Sequence, residues 1–306
     1  MPSTEKNLIE KIYNDRAKND ANTLTLANMV RSVISDTLSG DKYLNELLQN
    51  ADDLGSPSIE FILTGEYLVF KHKGKHFDAE DVKWISDAAN PERKKVTDSN
   101  QIGNKGIGFK AVFSMASTVA IISNNYCFRF DENYAGWQGN PNNYPWQIAP
   151  IWTDKQELPE QVKIFCDDQS VHFIFHIRQE VLPQIKSHLE KLKARHFLFL
   201  RHTKKMTCII KANKTDQKDI KYEITLEKPQ QVFKSETEKD DFIINELKLT
   251  ETISFYVYTK DCLLPKELIA KLALAKDIPE KYKTWKSIPI SIAISVQDGM
   301  LTGLPH

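Results

Sequence analysis

Residues 42–74 read "KYLNELLQNADDLGSPSIEFILTGEYLVFKHKG". Leu44, Leu47, Leu48 and Ala51 recur at helical spacing, which predicts a helix with one apolar side. The run "SIEFILTGEYLVFKHKG" then predicts two strands joined around Thr64–Gly65. Elements of this kind continue in mixed order along the chain. Leu26, Met29, Val30, Val33, Ile34 and Leu38 mark an earlier helix, and "DAEDVKWISDAA" a short one entered from Asp78. "TVAIISNNYCFRFD" is a hairpin signal with its turn at Asn124–Asn125. "QVKIFC", "VHFIFHI", "MTCIIKA", "KYEITLE", "TISFYVYT" and "SIPISIAISV" read as further strands, and residues 180–195 and 264–285 as helices. The order lacks regular strand–helix alternation, so the expected class is α+β with a mostly antiparallel sheet.

At 306 residues the chain is long for one core and predicts about two domains. Lys+Arg and Asp+Glu both total 41, so no overall field recruits nucleic acid or an anionic membrane. The basic stretch at 191–221 interleaves its charges with core residues and reads as a solvated face. The longest apolar runs are too short to span a bilayer, and the charged start does not resemble a signal peptide. Four scattered cysteines form no CxxC pair and read as reduced thiols of a cytoplasmic protein.

Two features carry chemistry. On the helix at 42–53, Glu46 and Asn50 stand four residues apart and share a face turned away from the leucines. A carboxylate there is able to take a proton from an attacking water, and an Asn carbonyl is a neutral oxygen ligand for Mg²⁺. Alone, the pair also fits a solvated helix face. The second feature is "IGNKGIGFK" at 102–110, with Gly103, Gly106 and Gly108 opening a helix at about Phe109. Bare backbone beside a helix start suits a phosphate, or else a tight packing turn.

In order along the chain, "ELLQNADD", the strand ending "HKGKHF" and "GNKGIGFKAVF" resemble the motifs of the GHKL superfamily: gyrase, heat-shock chaperones, histidine kinases and MutL. The likeness is greatest to the N-terminal ATPase domains of sacsin-like proteins and runs over about residues 20–215. It implies a Bergerat-type ATP-binding domain over 1–215, its sheet carrying helices on one face. Residues 216–306 would be a linker and the start of a smaller α/β, middle-domain-like region. It further implies ATP and Mg²⁺ as cofactors, with slow ATPase activity that drives conformational change or dimerisation.

Glu46 would then be the catalytic base and Asn50 the Mg²⁺ ligand. Asp53, His72 and Gly74 would join Asn50 around the nucleotide. Gly103, Lys105, Gly106, Ile107, Gly108, Phe109 and Lys110 would cradle its phosphates. The partners implied are ATP or ADP and a second copy or another protein. The alternative is a non-catalytic nucleotide sensor or scaffold that controls a partner. One departure stands out. The family's second motif has an Asp that bonds the adenine amino group, where this chain has His72. The family's later Thr falls on Val171, beside Ser170, and Asp78 or Asp81 are the substitutes for base recognition.

Overall fold

The computed structural model describes residues 3–18, 20–35, 42–87, 108–212, 218–226, 230–234, 242–248, 253–275, 283–297 and 300–302. They fall into two compact units. One holds the described residues up to 192 together with 200–224; the other holds 193–199 and those from 225 onward.

The first unit is built on an eight-stranded sheet. Its strands are β1 (Ser58–Thr64), β2 (Tyr67–His72), β3 (Ala116–Ser123), β4 (Tyr126–Asp131), β5 (Ile151–Trp152), β6 (Val171–Ile177), β7 (Lys205–Ile210) and β8 (Ile220–Thr225). They lie in the order β5-β4-β3-β6-β2-β1-β7-β8. β1 pairs β7 in parallel, while the β1–β2, β2–β6, β3–β6, β3–β4 and β4–β5 pairs are antiparallel. The two hairpins fall where the sequence predicts them. Gly65 (φ +57°) and Asn124 (φ 54°) take the left-handed turn positions that Gly and Asn tolerate best.

Side chains alternate across this sheet, so each strand feeds two layers. Ile62, Val69, Ile174, Ala120 and Ile122 form one face, covered by Leu158 and Val162. Phe61, Phe70 and Phe173 form the other, with ring centroids 4.8 Å (Phe61–Phe70) and 6.0 Å (Phe70–Phe173) apart.

Onto this aromatic face packs a 3-10 helix, Gly108–Ser114, through Phe109, whose ring lies 5.6 Å from Phe173. Helices α2 (Ala21–Ser35) and α3 (Lys42–Asp53) lie against the 3-10 helix. α1 (Thr4–Arg16) is capped by Ser3, whose Oγ accepts from the Lys6 N–H at 3.2 Å. It buries Ile9 and Ile12, and it contacts α4 (Ala79–Ile85).

The opposite face is not bare. "QVKIFC" reads as a strand, but Glu160–Lys163 forms a short helix, α5. Pro159 stands at its N-cap, where its carbonyl accepts from the Val162 and Lys163 N–H groups at 3.0 Å each. Val162, Phe165 and Cys166 then share one side and close over the Val69 layer. A further helix, α6 (Leu182–Glu190), covers less than the predicted 180–195 and sets His188 Nδ1 3.2 Å from the Tyr43 hydroxyl of α3.

The second unit is a five-stranded antiparallel sheet in the order β13-β12-β11-β10-β9. Its strands are β9 (Gln230–Lys234), β10 (Phe242–Lys248), β11 (Ile253–Leu263), β12 (Ser287–Gln297) and β13 (Met300–Thr302), with helix α7 (Lys266–Leu274) between β11 and β12. Leu198, Leu247 and Val257 form its small buried cluster. The chain is thus α+β with mostly antiparallel pairing, as the sequence order predicts. No helix among the described residues is long and apolar enough to cross a membrane.

Candidate functional site

Helix α3 buries Leu44, Leu47, Leu48 and Ala51. Glu46, Asn50 and Asp53 stand at i, i+4 and i+7, so they line up along another side. None of the three is exposed; all are partly buried. A helix face turned to bulk water would leave them free. Burial raises the proton affinity of the Glu46 carboxyl, and the negative charge of Asp53 raises it further. A carboxylate held this way is a stronger base than one in open solvent.

Asp52 plays a different part, which the sequence reading passed over. Its Oδ2 accepts from the Arg201 N–H at 2.9 Å, and its Oδ1 from the His202 and Thr203 N–H groups at 2.7 and 2.8 Å. One buried carboxylate thereby ties the end of α3 to the chain entering β7. The sequence did hold a signal: Asp52 lies four residues after Leu48, on the apolar stripe of an amphipathic helix. A charge in that place needs partners inside the fold.

The end of β2 meets the end of α3. The Lys75 N–H donates to the Leu54 carbonyl at 2.9 Å. A Cβ added at Gly74 would stand 2.8 Å from that same oxygen, so only glycine fits between strand and helix. His72 is buried between Phe70 and Phe173, each ring centroid 6.0 Å from its own. Its Nδ1 accepts from the Gly74 N–H at 3.1 Å. Burial, together with His172 and His76, lowers its pKa to about 3, so the ring is neutral at physiological pH. Val171 lies directly opposite His72 in the β2–β6 register and is fully buried.

Asp78 and Asp81 are committed elsewhere. Asp78 Oδ1 accepts from the Glu80 and Asp81 N–H groups, and Asp81 Oδ2 accepts from the Asp78 N–H. Lys75 Nζ bridges both, at 2.6 and 3.2 Å. They form the capping box of α4.

The glycine segment is described from Gly108, where the 3-10 helix begins; Gly103, Lys105, Gly106 and Ile107 lie outside the described residues. Phe109 is a core anchor on the aromatic face. Lys110 corrects the sequence reading, which has its amine beside the phosphates. The side chain is turned inward and fully buried, and Nζ donates to the carbonyls of Ile85 and Gln147 at 2.5 and 3.1 Å. The rings of Phe113 and Phe130 flank it, each centroid 5.5 Å away. Burial and the positive charge of Arg16 lower its pKa to about 7. In a 3-10 turn, residues three apart share a side, so Lys110 follows Phe113 into the core. Lys110 therefore pins the last turn of α4 to the glycine segment.

Among the described residues, no group of three or more His, Cys, Asp or Glu side chains is placed to hold a metal ion. No protein-family model matches the chain. Over 94 residues, 29% of this chain, it is 34% identical to Protein NO VEIN of Arabidopsis thaliana. The match spans 3% of that protein, so it establishes a local similarity and no family membership.

Proposed function

We propose that the first unit is a Mg²⁺-dependent nucleotide-binding module with slow hydrolytic activity, ATP being the nucleotide that the GHKL resemblance implies. The observation that carries this reading is the polar side of α3. Glu46, Asn50 and Asp53 are drawn partly out of solvent in a row, and Glu46 has a raised proton affinity. Neither feature belongs to a solvated helix face. A raised carboxyl pKa inside a fold is a recurring mark of a functional base.

In this reading Glu46 accepts a proton from a water as its oxygen bonds to the terminal phosphorus. The bridging bond to the adjacent phosphate breaks, and the products are a nucleoside diphosphate and inorganic phosphate. Asn50 would hold Mg²⁺ through its neutral side-chain oxygen, together with phosphate oxygens and water. When bound, the ion supplies positive charge against the phosphates. Asp53 keeps Glu46 basic through its charge, and Gly74 lets β2 close against α3. The basicity of Glu46 favours an enzyme over the alternative of a nucleotide sensor or scaffold. Coupling of hydrolysis to dimerisation or to a partner protein belongs to the same proposal.

Asn50→Ala is expected to abolish Mg²⁺-dependent nucleotide binding and to leave the circular dichroism spectrum and melting temperature unchanged. Its side chain faces away from the leucine core, so the fold does not depend on it. Calorimetric titration checks this; wild-type affinity in the folded variant would remove Asn50 from the metal site.

A further inference from the structure

We propose that the first unit holds a second binding site, a cavity at the start of α6 that takes a small amphiphile with an apolar body and one anionic head. The proposal is independent of the nucleotide reading, since none of the residues lining the cavity belongs to the polar side of α3.

The sheet register builds the floor. Leu63 of β1 and Ile210 of β7 are direct partners in the parallel pair, so both side chains fall on one face of the sheet. Both are buried. Leu182 and Pro183, in the first turn of α6, and Ile220, which opens β8, extend the apolar lining. The space between them measures about 580 Å³. Small-molecule sites span roughly 300–1,000 Å³ and are mostly apolar, with a few placed polar groups that choose the ligand.

The charged groups here carry one sign. Lys186, Lys211 and Lys218 line the cavity, and among the described residues no Asp or Glu does. Lys211 is already answered. Its Nζ lies 2.7 Å from Asp219 Oδ2, and the other oxygen of Asp219 accepts from the Ala212 N–H at 2.9 Å. Lys186 and Lys218 are exposed and make no ion pair among the described residues. Such lysines lay their methylene stems along apolar surface and hold the ammonium at its edge. An anionic head at that edge would meet two uncompensated positive charges, while its apolar body displaces water from Leu63 and Ile210. A neutral amphiphile would gain the apolar contact alone.

The test is calorimetric titration of the whole chain with decanoate, decyl phosphate and decanol, which share one chain and differ in the head. Both anions are expected to bind saturably at one site, about tenfold more tightly than decanol, the scale of two exposed charge contacts. Lys186→Gln combined with Lys218→Gln is expected to bring the anions down to the affinity of decanol and to leave decanol unchanged. Both lysines are exposed, so the melting temperature of this variant should match the wild type. Binding of only one of the two anions supports the site and identifies the head it takes. Decanol binding as tightly as the anions, anion affinity unchanged in the double variant, or no saturable binding of either anion would overturn the inference.

Discussion

Glu46→Ala is expected to lower the rate of nucleotide hydrolysis by about a hundredfold to ten-thousandfold, the usual contribution of a positioned general base. Nucleotide affinity should persist, because Asn50 and the backbone around Gly74 are untouched. The pH dependence follows from the same group. Burial and Asp53 raise the pKa of Glu46 above the ordinary carboxyl value. Only the ionised form accepts a proton, so the rate should be full above that raised pKa and be lost as pH falls through it. Stability has the opposite sign. A raised folded-state pKa means that the folded protein binds the proton more tightly than the unfolded chain, so ionised Glu46 costs stability above that pKa. Glu46→Gln should therefore melt no lower than the wild type at neutral pH while hydrolysing nucleotide as poorly as Glu46→Ala. Steady-state phosphate release across pH, with melting curves alongside, checks both halves. Wild-type turnover in either variant would exclude Glu46 as the base.

Asp52→Ala is expected to lower the unfolding free energy by about 2–4 kcal/mol, the scale of losing charge-assisted bonds that satisfy buried donors. The substitution strands three backbone N–H groups at once, those of Arg201, His202 and Thr203. Thr203 is fully buried and has no recourse to water. Asp52→Asn should cost less, since one amide oxygen can keep the two bonds that Oδ1 accepts and lose only that of Oδ2. Denaturant unfolding read at equilibrium gives the ranking wild type, Asn, Ala. Equal midpoints for all three would show that the clamp contributes nothing.

Much of the fold was legible because its signals are local. The period-two runs at 58–72 and 116–131 needed only Gly65 and the Asn124–Asn125 pair to read as hairpins, and the leucine spacing of α3 gave its buried side directly. "QVKIFC" misled because its four apolar residues fit a strand by composition, while the sheet layer beneath Val162, Phe165 and Cys166 decided for a helix. Charged residues that work inside the fold were the hardest to read. Lys110 looked like a phosphate contact, yet its partners are carbonyls 25 and 37 residues away. Asp52 looked like one more polar residue in "NADD", yet its donors lie about 150 residues on. Position 72 was legible as a departure from the family pattern, but its burial in the aromatic layer, with Nδ1 accepting from the Gly74 N–H, was not.

The central claim is that the polar side of α3 binds a purine nucleoside triphosphate through Mg²⁺, and titration calorimetry of the wild-type chain tests it most directly. ATP and GTP are each titrated with Mg²⁺ and again with the ion chelated. The account predicts saturable one-site binding that is lost on chelation. No heat from either nucleotide at millimolar concentration, or binding indifferent to Mg²⁺, would contradict it.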